Sequence, residues 1–192
     1  MSTDAHRTSF GVSHRKMAMW VFIASECMFF GSLIATYLAY EGRSVAGPTP
    51  HEILNIPLTS VSTFVLLMSS LAMVLALDAV QRDERGWAKI WTGGVIVLGG
   101  LFLAGQVYEF SHFYHEGLTL QTNLFGATFF VLTGFHGAHV TVGVIWLSTL
   151  LVMMFRGRLG AERALDVEVA GLYWHFVDVV WIVIFTLVYL IQ

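Results

Sequence analysis

Tyr-Trp-His-Phe-Val-Asp-Val-Val-Trp occupies residues 173–181, near the start of the last apolar run of the chain. In a helix, His175 and Asp178 are three apart and share a face. Trp174, Asp178 and Trp181 follow an i, i+4, i+7 row on that side. A His and an Asp within a lipid-length segment are expensive there, so they must point into a bundle or at a partner. The rest of the chain reads as built to receive them.

Composition agrees. The 192 residues are 56% hydrophobic and 12% charged, with six Trp and fifteen Phe. That is the profile of an integral membrane protein. A net charge of −3 points away from nucleic-acid binding. The single cysteine, Cys27, excludes an internal disulfide and any Cys-based metal site built from this chain alone. The polar N-terminus lacks the pattern of a cleaved signal peptide, so the first span is expected to be retained.

Five runs are long enough to cross a bilayer, which takes roughly 20 residues. They are about 17–40, 57–80, 87–110, 123–155 and 168–191. The expected fold is all-α: one polytopic membrane bundle of five transmembrane helices in a single integral membrane domain. The fourth run is overlong, which implies tilt or extension beyond the membrane. The first connection, 41–56, is read together with Pro48, Pro50 and Pro57 as a loop that cannot continue a helix. Residues 81–86 form a tight charged turn, and 111–122 a loop in which His112 and His115 are solvated.

Basic residues predict the orientation. Arg7, Arg15, Lys16, Arg82, Arg85, Lys89, Arg156, Arg158 and Arg163 fall on one side, and Arg43 alone on the other. The N-terminus is therefore expected in the cytoplasm and the C-terminus on the outer face. Trp20, Trp87, Trp91 and Trp174 are read as an inner aromatic belt, and Tyr37, Tyr40, Tyr108, Tyr114 and Tyr189 as an outer one. Gly93, Gly100 and Ala104 in span three, and Gly134 and Ala138 in span four, are read as packing faces for close helix approach.

The buried polar groups are the candidate site. Glu26 lies nine residues into span one, about 14 Å along the helix, with no Lys or Arg at i±3 or i±4. A carboxyl group there is neutral or paired across helices. It is either purely structural or a group that influences proton movement or holds a neighbouring subunit. His136 and His139 are three apart on span four. Glu26, His139, His175 and Asp178 fall in one layer near mid-membrane, so contacts among them are expected, with His139 or His175 as the partner of Glu26. His139 and His175 could in principle ligate a haem. However, acids so close favour Glu–His pairing, and no closed ligand set for zinc or copper is present. Gln106 and Glu109 sit at the outer boundary, where Glu109 reads as an ordinary capping or loop-anchoring group. Asp178→Ala is expected to destabilise more than Glu26→Gln, because it strands a buried partner.

The blocks SECMFFGSLIATYLAY (25–40), GQVYEF (105–110), GATFFVLTGFHGAHVTVG (126–143) and YWHFVDVVW (173–181) together resemble subunit III of the haem–copper respiratory oxidases, in the short five-helix bacterial form. The likeness covers all five spans in matching order. It implies a multi-pass protein of the bacterial inner membrane, set against catalytic subunit I and the other subunits of an oxidase that reduces oxygen and pumps protons. It implies that the chain binds no haem or copper, those cofactors belonging to partner subunits, and that structural phospholipids accompany it. The implied role is to stabilise the catalytic subunit, to sustain proton uptake and to aid oxygen or lipid access. The resemblance carries Glu26, His136, His139, His175 and Asp178 over as matching positions, while Ala138 stands where many members have Leu. Two alternatives stay open: an accessory subunit of nitric oxide reductase, and an independent small proton carrier using Glu26, His139 and Asp178.

Overall fold

The computed structural model describes residues 13–43 and 54–191. These form α1 (His14–Tyr40), α2 (Ile56–Gln81), α3 (Arg85–His115), α4 (Leu124–Phe155) and α5 (Ala164–Phe185). A single 3₁₀ turn, Ala161–Arg163, leads into α5, and a π turn, Thr186–Leu190, closes it. All five helices are long and apolar enough to cross a membrane.

The ends are set by local chemistry. Ser13 caps α1 by accepting from the Lys16 N–H, Asn55 caps α2 through Leu58, and Asn123 caps α4 through Gly126 at 2.7 Å. Pro57, read as loop from sequence, stands in the first turn of α2. Its missing N–H costs nothing there, because that position has no intrahelical acceptor. Pro48 and Pro50 lie outside the described residues. Gly117 and Gly157, at φ +83° and +66°, stop α3 and α4. In each case the next N–H reaches back across the last turn, Leu118 to Phe113 O and Arg158 to Met153 O. α3 runs on to His115 rather than ending at residue 110, because Glu109 and Phe113 continue its buried face. His112 and His115 therefore stand in its last turn, exposed as expected.

The last helix is the hub. Over its most apolar window 56% of α5 is buried, against 6% for α1. α5 packs on α2, α4 and α1; α3 closes the ring by packing on α2 and α4; α1 lies outside, chiefly against α4 and α5. The apolar faces turned outward are those expected in lipid. Two ion pairs hold the start of α1 to the start of α5: Arg15 to Asp166 at 2.7 Å, and Lys16 to Glu168. All the basic side chains assigned by sequence to one side, apart from Arg7 outside the described residues, thus belong to one end of the bundle.

Several aromatic and glycine roles differ from expectation. Trp20 and Trp87 are exposed belt residues, as are Tyr40, Tyr108 and Tyr114. Trp174, Tyr37 and Tyr189 are instead core residues, no more than 2% exposed. Trp174 is the central wedge: its ring fills the space where a Cβ on Gly99 (2.6 Å) or Gly143 (2.9 Å) would stand. The glycines that admit this ring are these two, and Gly137 likewise admits Gln106, whereas Gly93, Gly100 and Gly134 face open space. Ala104 and Ala138 are exposed as well. Small residues were a sound signal, but the row that matters is chosen by where the large ring goes.

Candidate functional site

The buried polar residues form three separate groups rather than one layer. The first joins α1 to α4. His139 Nε2 stands 3.2 Å from Glu26 Oε2. His139 Nδ1 is 2.8 Å from the carbonyl of Phe135, one turn back on its own helix. A carbonyl can only accept, so Nδ1 carries a hydrogen. The Nε2–Oε2 contact then needs a second proton, held on either the imidazole or the carboxyl group. Glu26 and His139 are thus a proton-sharing pair, as sequence spacing suggested, with His139 and not His175 as the partner. The Tyr173 hydroxyl donates to the His139 carbonyl at 2.9 Å. Phe30 packs edge-on against the imidazole at 5.0 Å.

The pair opens onto the membrane-facing surface. A groove of about 580 Å³ runs between α1, α4 and α5, with Phe22, Phe135, Val142 and Trp146 as walls and Glu26 and His139 at its floor. A second groove of about 560 Å³ shares Met19, Phe22 and Trp146 and leads to Arg15 and Arg163. Together they make a single apolar trough with a polar floor and a net basic end, where Arg15 and Arg163 both pair with Asp166.

Glu26→Gln is expected to assemble like the parent. The amide N–H₂ can donate to His139 Nε2, so the contact survives without charge. The yield of intact complex on a native gel checks this, and loss of assembly would mean that a carboxylate is required.

His136 does not join that pair. It is fully buried, and neither ring nitrogen has a hydrogen-bond partner. Its ring stacks on Trp181 at 4.8 Å and meets Phe102 edge-on at 5.8 Å. It serves here as an aromatic packing unit in the core.

The second group lies between α2 and α5, where hydroxyls on α2 meet polar atoms on α5. Trp174 Nε1 donates to Ser69 Oγ at 3.0 Å, and Trp181 Nε1 to Thr63 Oγ1 at 2.9 Å. Ser70 Oγ lies 2.6 Å from His175 Nδ1, with the carboxyl group of Asp178 nearby. Asp178 is 5% exposed, and its Oδ1 has no partner. This ladder escaped the sequence reading. Its signal was available: Thr59, Thr63, Ser69 and Ser70 are spaced to fall on one side of the second span.

The neighbour of Asp178 is thus a serine that keeps a second partner. Asp178→Ala is accordingly expected to cost only about 1 kcal/mol, while Ser70→Ala strands the buried side of the His175 ring and costs more, about 1–3 kcal/mol. Thermal melting of the two variants checks the order.

The third group holds Gln106 and Glu109, which are 8% and 6% exposed, and it corrects the reading of Glu109 as a capping or loop-anchoring group. Glu109 Oε1 lies 2.8 Å from Thr59 Oγ1, and Oε2 accepts from the Tyr189 hydroxyl at 3.1 Å. Glu109 therefore ties α3 to α2 and to the end of α5. Gln106 donates to the Thr133 carbonyl at 2.7 Å, with its amide against Gly137. Among the described residues no three His, Cys, Asp or Glu side chains come together as a metal ligand set. His139 is engaged by Glu26 and His175 by Ser70.

Comparison with known families decides what this bundle is. The family model described as cytochrome c oxidase subunit III matches residues 3–192. The chain belongs to that family. Among relatives of subunit III, cytochrome c oxidase subunit 3 of Bacillus subtilis (strain 168) is 40% identical over 175 residues, covering 91% of this chain and 84% of the relative. The protein of the same name from Bacillus sp. (strain PS3) is 38% identical over 174 residues, covering 91% and 84%. Quinol oxidase subunit 3 of Bacillus subtilis (strain 168) is 37% identical over 174 residues, covering 91% and 85%. With five spanning helices, this subunit III is a multi-pass bacterial membrane protein of a terminal oxidase, and subunit III identity implies partnership with other oxidase subunits.

Proposed function

We propose that the chain is a non-catalytic subunit of a proton-pumping haem–copper terminal oxidase, bound to catalytic subunit I, and that it stabilises that subunit and supports proton uptake. The observation that carries the reading is the Glu26–His139 pair at the floor of the membrane-facing trough. A proton-sharing pair reached from the bilayer is suited to buffering protons beside a partner, whereas nothing in the trough resembles a reaction centre. The basic end faces the cytoplasm in this proposal, following the excess of Arg and Lys there. Phospholipid occupies the trough: acyl chains fit along Met19, Phe22 and Trp146, and a phosphate meets Arg15 and Arg163. Oxygen dissolved in that lipid would have a route past the subunit. Cytochrome c and quinol oxidase relatives match at similar identity, which supports a role common to both enzymes.

The test is mild detergent purification through a tag on this chain, followed by an optical spectrum and an oxygen electrode. Co-purification of a haem-bearing partner that consumes oxygen is expected. A haem-bearing partner that reduces nitric oxide instead would redirect the reading, and a colourless lone chain would overturn it.

A further inference from the structure

We propose that the seam between α2 and α3 holds one ordered water molecule, bonded to Glu109, Gln106 and Ser62. The inference goes beyond the oxidase reading, because it concerns this bundle whichever subunits accompany it.

A cavity of about 10 Å³ lies between α2, α3 and α5, lined by Thr59, Ser62, Gly105, Gln106, Glu109 and Trp181. That is about the room one water needs, and nothing larger fits. Gly105 keeps the room open. A Cβ there would stand 3.0 Å from Ser62 Oγ, closer than ordinary packing allows. A side chain at this position would therefore enter the space or drive the Ser62 hydroxyl into it.

The hydrogen bonds around the cavity leave the atoms a water requires. Gln106 Nε2 carries two hydrogens and gives one to the Thr133 carbonyl. The Glu109 oxygens meet Thr59 Oγ1 and the Tyr189 hydroxyl, and each can accept once more. Ser62 Oγ donates to the Leu58 carbonyl at 3.2 Å and keeps lone pairs for acceptance. Thr59 is already engaged by Asn55 and Glu109. A water in the cavity accepts from Gln106 and donates to Glu109 and Ser62. Those three bonds are the usual number for a buried water. A bridge of this kind is nearly as good as a direct hydrogen bond. It adds a polar tie between helices where packing and interhelical hydrogen bonds carry association. Ser62 is half-buried, so the water also links the enclosed carboxyl group of Glu109 to the α2–α3 surface.

A high-resolution density map of the purified protein, with whatever partners it brings, tests this. The expected map shows one rounded peak within about 2.7–3.2 Å of Glu109, Gln106 and Ser62. Gly105→Ala is expected to lose the peak. Gly100→Ala, on the same helix but facing open space, is expected to keep it. Infrared spectra in water labelled with heavy oxygen give a second readout, since the label shifts the O–H stretch of bound water and leaves the protein bands in place. The shifted band should be present in the parent and in Gly100→Ala, and missing from Gly105→Ala. A parent map that resolves other buried waters but shows no peak here would overturn the proposal. So would a peak crowded by more oxygens than a water can bond, which is the mark of a cation, or a peak that Gly105→Ala leaves in place. If Gly105→Ala fails to assemble, the parent map alone decides.

Discussion

Trp174→Ala is expected to cost about 3–5 kcal/mol, the range for emptying a buried tryptophan site. The ring is 1% exposed, so neither lipid nor water can fill the space without moving helices. In a bilayer, helix association rests on packing and interhelical hydrogen bonds, because the lipid tails are as apolar as the side chains. Trp174 supplies both, wedging between Gly99 and Gly143 and donating to Ser69. Its loss therefore loosens α5 from α2, α3 and α4 together. The measurement is the melting temperature of the purified complex, with subunit retention on a native gel. Trp174→Phe should fall between the parent and Trp174→Ala, since it keeps part of the ring and loses the N–H. An alanine variant that stays within about 1 kcal/mol of the parent would show that the wedge is dispensable.

Glu109→Ala and Glu109→Gln are expected to diverge. Alanine removes the acceptor of the Tyr189 hydroxyl and the partner of Thr59, at about 1–3 kcal/mol for each buried group left unsatisfied. Glutamine keeps both contacts, because its carbonyl accepts from Tyr189 and its amide donates to Thr59. The geometry favours that equivalence. Thr59 has one hydroxyl proton, and its oxygen lies 3.0 Å from the Asn55 carbonyl as well as 2.8 Å from Glu109. When the proton serves Asn55, Glu109 must supply the one between itself and Thr59. Melting of the two variants decides the matter: a glutamine variant as unstable as the alanine one would mean that a carboxylate charge is needed there.

Much of this architecture was legible from residue order. The five spans were readable because about 20 apolar residues in succession have few other uses, and because Arg and Lys cluster in alternate connections. The Glu26–His139 pair was legible for a related reason: an acid at that depth requires a partner, and a histidine at matching depth is the economical one. The roles of Tyr37, Tyr189 and Trp174 were not legible. An aromatic near a span end reads equally well as a belt residue or a core residue, and only the rotation of its helix separates the two. Glu109 was misread for the same reason. Position along the chain placed it near water, but its face of α3 turns inward toward Thr59 and Tyr189.

By itself the sequence determined that this protein is a five-helix membrane bundle of the oxidase subunit III type, because span length, buried charge and motif order are properties of the linear chain. Tertiary structure decided which side chains meet. His136 became an aromatic core residue while His139, three positions on, became a proton-sharing partner, and Ser70 took His175. Those outcomes depend on the angle each helix presents to its neighbours. That angle follows from contacts between residues far apart in the chain, such as the seating of Trp174 between Gly99 and Gly143.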